Sequence, residues 1–415
     1  MNVRATTTSL GSLLMFGLLA GCATWQPPPK VDLRTQTGRY GHAVVTDGKL
    51  LYVVGGSGPE GLLGDVETID PKTGQSEIVA TNLIPRRYHS AVLVGRRIFI
   101  VGGESDLGPE PAVEMFDLDA RTVSLGMPLP TPRRLSKATL LGGSIYVVGG
   151  QDPGNRFAET ATGVVEAYDV AKNVWRPVAA LPTPRECAVV AAQGKLWAIG
   201  GFDGDEAGLA VVETYDPKTD RWTRAPDLPF RLSAHSALAT RDAIYVFGDY
   251  RMLDRVARFD LKKGTWTELD VPYVASRHNA CVELDGEIFV VGGNVASMGS
   301  HLDLVQRFSA RDLRAAPART RTGTETRGFN EPTDFAGMLR ANPRTVKVAD
   351  RPDSAVQTVV LRQAGEEIVR YSSAKFRLHL DRLPVVVRLT ADVWHQGMVQ
   401  EPQIIVNGDA VDDLQ

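Results

Sequence analysis

Cysteine is scarce in this chain. Its 415 residues include three, Cys22, Cys187 and Cys281, too few and too far apart for a disulfide framework. The two later ones read as small buried core residues, the usual state of an unpaired thiol. Excess charge of either sign is also missing. Lysine and arginine number 46 against 49 acidic side chains, for a net charge of −3, so nothing electrostatic calls for nucleic acid or an anionic membrane surface as partner. The signatures of common catalytic machinery are absent too. There is no G-x-S-x-G elbow, no H-E-x-x-H and no P-loop, and no cofactor or metal is implied.

Long apolar runs are lacking except at the start. Arg4 is followed by a largely apolar stretch from Leu10 to Ala20, too short to span a bilayer as a mature helix and of the length of a secretory core. Leu19-Ala20-Gly21-Cys22 comes next. This tetrapeptide resembles the lipobox of bacterial lipoproteins, in which the cysteine is acylated and becomes the first mature residue. The resemblance implies a signal peptide at 1–21, lipid on Cys22, and a membrane anchor held by more than one acyl chain. Ala23 stands where an aspartate would suggest inner-membrane retention, so the outer membrane is the expected location. Trp25 to Lys30 contains Pro27-Pro28-Pro29 and reads as a stiff tether.

What the chain has in plenty is glycine, 40 residues, much of it periodic. Apolar runs ending in diglycine occur at Leu51–Gly56, Ile98–Gly103, Ile145–Gly150, Leu196–Gly201 and Ile288–Gly293, with a degenerate copy at Ile244–Asp249. The first glycines fall at Gly55, Gly102, Gly149, Gly200, Gly248 and Gly292, 44 to 51 residues apart. Downstream, an apolar or aromatic residue precedes aspartate at Asp70, Asp117, Asp169, Asp216 and Asp260, and Trp175, Trp222 and Trp266 follow the last three. A proline-rich turn and an arginine then open the next unit. Each unit reads as four short strands, with sequences such as Asp216-Pro217-Lys218-Thr219-Asp220 supplying a turn.

These residues resemble the Kelch repeat, which builds β-propellers with one four-stranded sheet per blade. The resemblance covers residues 37–312 and implies an all-β, six-bladed Kelch β-propeller. The segment 22–36 is the lipidated N-terminus and tether. The sixth unit lacks a clear fourth strand, and Val31 to Leu33 is placed to donate it. Residues 313–344, with Arg314, Arg319, Arg321 and Arg327, read as a solvated linker. Residues 345–415 carry five or six strand signals and suggest a small C-terminal β-sandwich-like domain. Within it Trp394-His395 reads as a buried anchor in preference to a sugar-stacking pair.

The column most suggestive of a site is the arginine opening each unit: Arg39, Arg86, Arg133, Arg185, Arg231 and Arg277. Kelch turns at this place lead into the innermost strand, so six guanidiniums at one channel mouth would suit carboxylates or phosphates. Arg87 and Arg134 add charge beside two of them. The competing reading is structural, with each arginine bonding loop carbonyls. Thirteen residues before each first glycine stand His42, His89, Ser136, Cys187, His235 and Asn279, expected to bond backbone groups and not to ligate zinc. Asp203 and Asp205 read as a solvated loop, short of the oxygens that calcium needs.

Two functions follow as expectations. The first is an envelope-anchored module binding a protein or glycan through one propeller face. The second is an enzyme on an anionic sugar, similar to the N-acetylneuraminate epimerases, from which this chain departs by its short, near-uniform loops.

Overall fold

The computed structural model describes residues 33–152, 160–204, 208–295 and 301–319, together with six strands between residues 344 and 411. The expectations for the signal peptide, Cys22, Trp25, Val31, Asp205 and Trp394-His395 lie outside the described residues.

Residues 33–319 form a six-bladed β-propeller. Blade 1 is the antiparallel meander Ala43–Thr46, Leu51–Gly58, Gly61–Ile69 and Ser76–Ala80. Four more four-stranded blades follow, beginning at Ser90, Lys137, Glu186 and Ser236. Blade 6 has the three strands Ala280–Leu284, Glu287–Val291 and Val305–Ser309. The first strand of every blade packs against the first strands of both neighbours, and Ala43–Thr46 meets Ala280–Leu284. The ring is therefore closed, with first strands around the axis.

The sequence explains the layering. Second strands such as Arg97–Val101 are apolar and buried after their first residue, because a neighbouring blade covers each face. Fourth strands such as Arg221–Arg224 alternate exposed and half-buried residues. The core is thus a series of wedges between blades. One wedge joins Trp197, Ile199 and Val212 of blade 4 to Ile244, Val246 and Phe259 of blade 5.

The diglycine is a joint between blades. The second glycine's N–H donates to the backbone carbonyl at the arginine place of the next blade: Gly56 to Arg86 at 2.9 Å, Gly103 to Arg133 at 3.2 Å, Gly150 to Arg185 at 3.0 Å, Gly201 to Leu232 and Gly293 to Arg39 at 2.8 Å. No side chain fits there. A Cβ on Gly149 would lie 2.3 Å from Arg185 O. At the rim a second joint uses tryptophan. Trp175, Trp222 and Trp266 donate Nε1 to Met127 O, Ala179 O and Pro226 O of the preceding blade at 2.8–3.0 Å. The aspartates that end the third strands cap the following turn, as when Asp216 Oδ1 accepts from Lys218 N at 2.9 Å.

Blade 6 borrows from both directions. Val305 N donates to Leu33 O, Thr35 N donates to Asp303 O, and Arg34 bridges Leu304. The short helix Ala310–Ala315, capped by Ser309, follows the third strand. The linker expected from residue 313 therefore begins inside a helix, because Leu313 is buried against blade 5. Ala318 then bridges Leu269 at the outer edge of blade 5, not of blade 6.

Further on, Arg344–Ala349 pairs with Val385–Leu389. Glu366–Ser372, Thr358–Gln363, Gln403–Val406 and Asp409–Val411 form a sheet whose edge strand is His301–Leu302 of the propeller. The stretch read as β-rich thus carries strands among its described residues.

Candidate binding face and central channel

The arginine column does not form an open ring. Arg39, Arg86, Arg133 and Arg185 are at most 1% exposed. Each reaches a glutamate on the third strand of its own blade: Glu67 at 3.0 Å, Glu114 at 2.7 Å, Glu166 and Glu213 at 2.6 Å. Each also donates to the first diglycine carbonyl of that blade, Gly55, Gly102, Gly149 or Gly200. A third set of bonds runs to the carbonyl two residues back, at Thr37, Ile84, Thr131 and Thr183. All the planar fork's directions are used inside the blade. Burial pulls the Arg133 guanidinium below its ordinary range, and Glu166 opposes that pull. Burial dominates for Glu67 too, whose carboxyl is pushed up to about 7 despite Arg39 beside it.

Blades 5 and 6 differ, which corrects the column as read from spacing. The place occupied by Arg185 in blade 4 is held by Leu232 and Ser276, whose carbonyls and neighbours stand where the arginine backbone stands elsewhere. Arg231 falls one residue early and is exposed, with Nη1 donating to Gly208 O at 3.4 Å. Arg277 falls one residue late and lies over the Tyr250 ring at 3.9 Å. Six guanidiniums are therefore not brought together, and the carboxylate-binding arginine ring expected at the mouth is not formed.

A different set of side chains builds the channel mouth, one step after the arginine place. Arg87 and Arg134 both bond Glu104, at 2.7 and 3.2 Å. Arg87 Nη1 also donates to the Tyr40 hydroxyl at 3.0 Å. Tyr40 packs on His301 and Tyr88 on His278, with ring centroids 5.1 Å apart in both pairs. On the same face, the hairpin Glu104–Pro109 lifts Leu107 to 96% exposure, and Tyr250 is 39% exposed.

Just inside the mouth the chain turns left-handed in five blades. Gly41, Tyr88, Leu135, Ala234 and His278 have φ between 51° and 62°, a conformation costing a non-glycine residue about 1–2 kcal/mol. They pass backbone hydrogen bonds from blade to blade, which offsets that cost. His278 N donates to Ala234 O, Gly41 N to His278 O, Tyr88 N to Gly41 O and Leu135 N to Tyr88 O, at 2.6–3.2 Å. Blade 4 is one residue shorter at this point, so Glu186 and Cys187 follow Arg185 directly.

Within this belt is a small, partly open cavity lined by His42, Lys137, Glu186, Cys187, His235 and Asn279 among others. The histidines face carbonyls of the preceding blade. His89 Nε2 lies 3.1 Å from Val54 O, while Val291 O and Ile199 O favour charge on His42 and His235 without meeting hydrogen-bond geometry. Burial nevertheless holds the rings neutral, bringing His89 and His235 down to about 3. Burial likewise pushes the Cys187 thiol up to about 11. Among the described residues, no three His, Cys, Asp or Glu side chains are grouped to hold a metal ion.

A family model described as the Kelch motif matches residues 38–82, and one described as the KLHDC2/KLHL20/DRC7 Kelch-repeats domain matches residues 85–249. The chain carries Kelch repeats. Among curated proteins, Kelch-like protein 35 of Mus musculus is 32% identical over 131 residues, 31% of this chain and 22% of that protein. Kelch-like protein 36 of Rattus norvegicus is 32% identical over 188 residues, 44% of this chain and 28% of that protein. Kelch domain-containing protein 7A of Mus musculus is 37% identical over 121 residues, 28% of this chain and 14% of that protein. The matched stretch is less than a third of each of these relatives.

The repeat itself shows why four of the arginines follow the structural reading of the column and not the open-ring one. Its partner is also periodic, since Glu67, Glu114, Glu166 and Glu213 each stand three residues before the third-strand aspartate. In blade 5 that place is Ala257, and the arginine place is Leu232. Arginine and glutamate appear and vanish together, a signal of pairing that was available in the sequence. Lys137 carried no such signal, because no other Kelch unit here has a lysine at its place.

Proposed function

We propose that this chain is an envelope-anchored binding module that holds a protein partner on the propeller face around the channel mouth. One observation carries the reading. Leu107 at 96% exposure and Tyr250 at 39% share a face with Tyr88, Arg87, Arg134 and Arg277. Tyrosine and arginine side chains grouped on a rigid frame, beside one exposed apolar tip, match the residue types enriched at interface centres. Kelch-repeat propellers are typically protein-binding modules, which supports a protein over a glycan. Closing the ring makes this platform stiff, and a stiff platform loses little entropy on binding.

Anchoring rests on the lipobox-like Leu19-Ala20-Gly21-Cys22. Diacyl attachment at Cys22 would hold the propeller at the outer membrane through the proline-rich tether. Two experiments test the two halves. Metabolic labelling with palmitate should mark the wild-type chain and not Cys22→Ser; label retained by Cys22→Ser removes the anchor. For the face, the tether-free propeller is used to capture partners from solubilised envelopes of the native cell. Leu107→Asp combined with Tyr250→Ala should lose the captured protein at an unchanged melting temperature. Equal capture by the double variant overturns the mouth as the binding face.

A further inference from the structure

The protein-binding reading leaves the channel interior unused, and the interior has a chemistry of its own. Lys137 opens the first strand of blade 3 and lines the channel cavity. Its charge acts on groups from several blades: it disfavours protonation of His42, His89, His235 and His278, and acts on Cys187 and Cys281. Its ammonium therefore stands near the axis. Among the described residues no hydrogen bond or ion pair within 4 Å is made by it, and burial pulls it below the usual lysine range while Glu186 pushes it back.

The wall around this ammonium is polar and incompletely satisfied. His42 and His235 both line the cavity and are 2% and 6% exposed. Neither ring nitrogen of either residue has a hydrogen-bond partner among the described residues. The imidazoles are neutral, so each carries one N–H that can be turned toward an anion. Asn279, on the same wall, brings an amide. Glu186 is an acidic group on this wall that offsets the ammonium in part, and a bound anion would offset it further.

We propose that the central channel is a binding site for a small oxyanion, a carboxylate or an inorganic equivalent, seated on Lys137 and bordered by His42, His235 and Asn279. Glu186 at the same wall sets the limit on charge. It repels the ligand, which favours a single negative charge over two. Neither the mouth face nor its partner is required for this site.

The test uses the whole propeller and three probes at constant ionic strength: sodium acetate, sodium nitrate and sodium phosphate, each against sodium chloride. The melting temperature of wild type should rise along a saturating curve with acetate or nitrate, and less with phosphate above neutral pH. Lys137→Met should lose the saturable rise, while Lys137→Arg keeps it and Glu186→Gln reaches half-saturation at a lower concentration. Each variant is compared with its own melting temperature in chloride, because Lys137→Met also removes the charge that Glu186 faces. A linear, probe-independent rise in wild type, or the same curve in Lys137→Met, overturns the site.

Discussion

Arg133 Nη1 lies 2.6 Å from Glu166 Oε2, and one blade later Arg185 Nη1 lies the same distance from Glu213 Oε2. Both glutamates also accept a threonine hydroxyl from the residue two before the arginine, Thr131 at 2.9 Å and Thr183 at 3.0 Å. The pair ties the turn that enters a blade to the third strand of that blade. It therefore holds in place the carbonyl that receives the preceding diglycine.

Removing one member should be worse than removing both. Glu166→Ala leaves a buried guanidinium facing carbonyls alone, and breaking such a pair costs about 3–5 kcal/mol. Arg133→Met with Glu166→Leu removes both charges and should cost less than Glu166→Ala alone, even though the bonds to Gly149 O and Thr131 O are also lost. Urea midpoints of the three proteins check this. A double variant less stable than Glu166→Ala would mean that the pair contributes net stability.

Gly201 should be among the least replaceable glycines. Its φ is +115°, and a Cβ there would lie 1.7 Å from Glu186 O, a backbone atom that cannot swing aside. Gly95 has a similar preference, with φ +61°, but nothing within 4 Å of its Cβ position. Gly95→Ala should cost about 1–2 kcal/mol, the strain of the left-handed region alone. Gly201→Ala should cost clearly more, or yield insoluble protein, in parallel expression and melting experiments.

The buried histidines should make the propeller acid-sensitive. His89 ionises at about 3 in the folded chain and near 6.5 when unfolded. The unfolded state therefore binds more protons between those values, and stability falls as pH drops below about 6.5. Each such histidine contributes about 1.4 kcal/mol per pH unit in that window. Glu67, raised to about 7 by burial, acts in the opposite sense, so the clean readout is a difference. Blade 6 already uses Asn279 at this place, which makes His89→Asn a natural replacement. Between pH 6 and pH 4 the wild type should lose about 1.4 kcal/mol per unit relative to His89→Asn. Parallel stability curves would contradict the neutral imidazole.

Legibility in the sequence followed periodicity. The diglycines, the third-strand aspartates and the tryptophans recur in phase, and their joints between blades recur with them, so the six-bladed ring could be read directly. The destination of a long polar side chain could not be read from its own column. Arg39 and Arg86 point inward because Glu67 and Glu114 wait there. Arg87 and Arg277 stood in or beside the arginine column, whereas Tyr88 joins the mouth through the left-handed turn after the arginine place, which no column marked. Lys137 occurs once, so no period marked it.

The degenerate fifth diglycine yields the sharpest contrast. Where the other blades have a second glycine, blade 5 has Asp249, and restoring the repeat looks like a consensus repair, which is ordinarily stabilising. The structure argues the reverse. Asp249 Oδ1 accepts from Ser233 N at 3.1 Å and Tyr250 N at 2.7 Å, and Oδ2 from Met252 N at 3.1 Å. Arg255 Nη1 lies 3.5 Å from Oδ2, and the same guanidinium covers the Phe230 ring at 3.9 Å. Blade 5, lacking an arginine at Leu232, takes its guanidinium from the third-strand side instead. Asp249→Gly would strand the N–H groups of Ser233 and Met252, at a cost of about 1–3 kcal/mol for each buried group left unsatisfied. Asp249→Asn keeps an acceptor but not the charge, and should fall between the two. A melting temperature for Asp249→Gly at or above wild type would show that the consensus rule, not the local network, governs this blade.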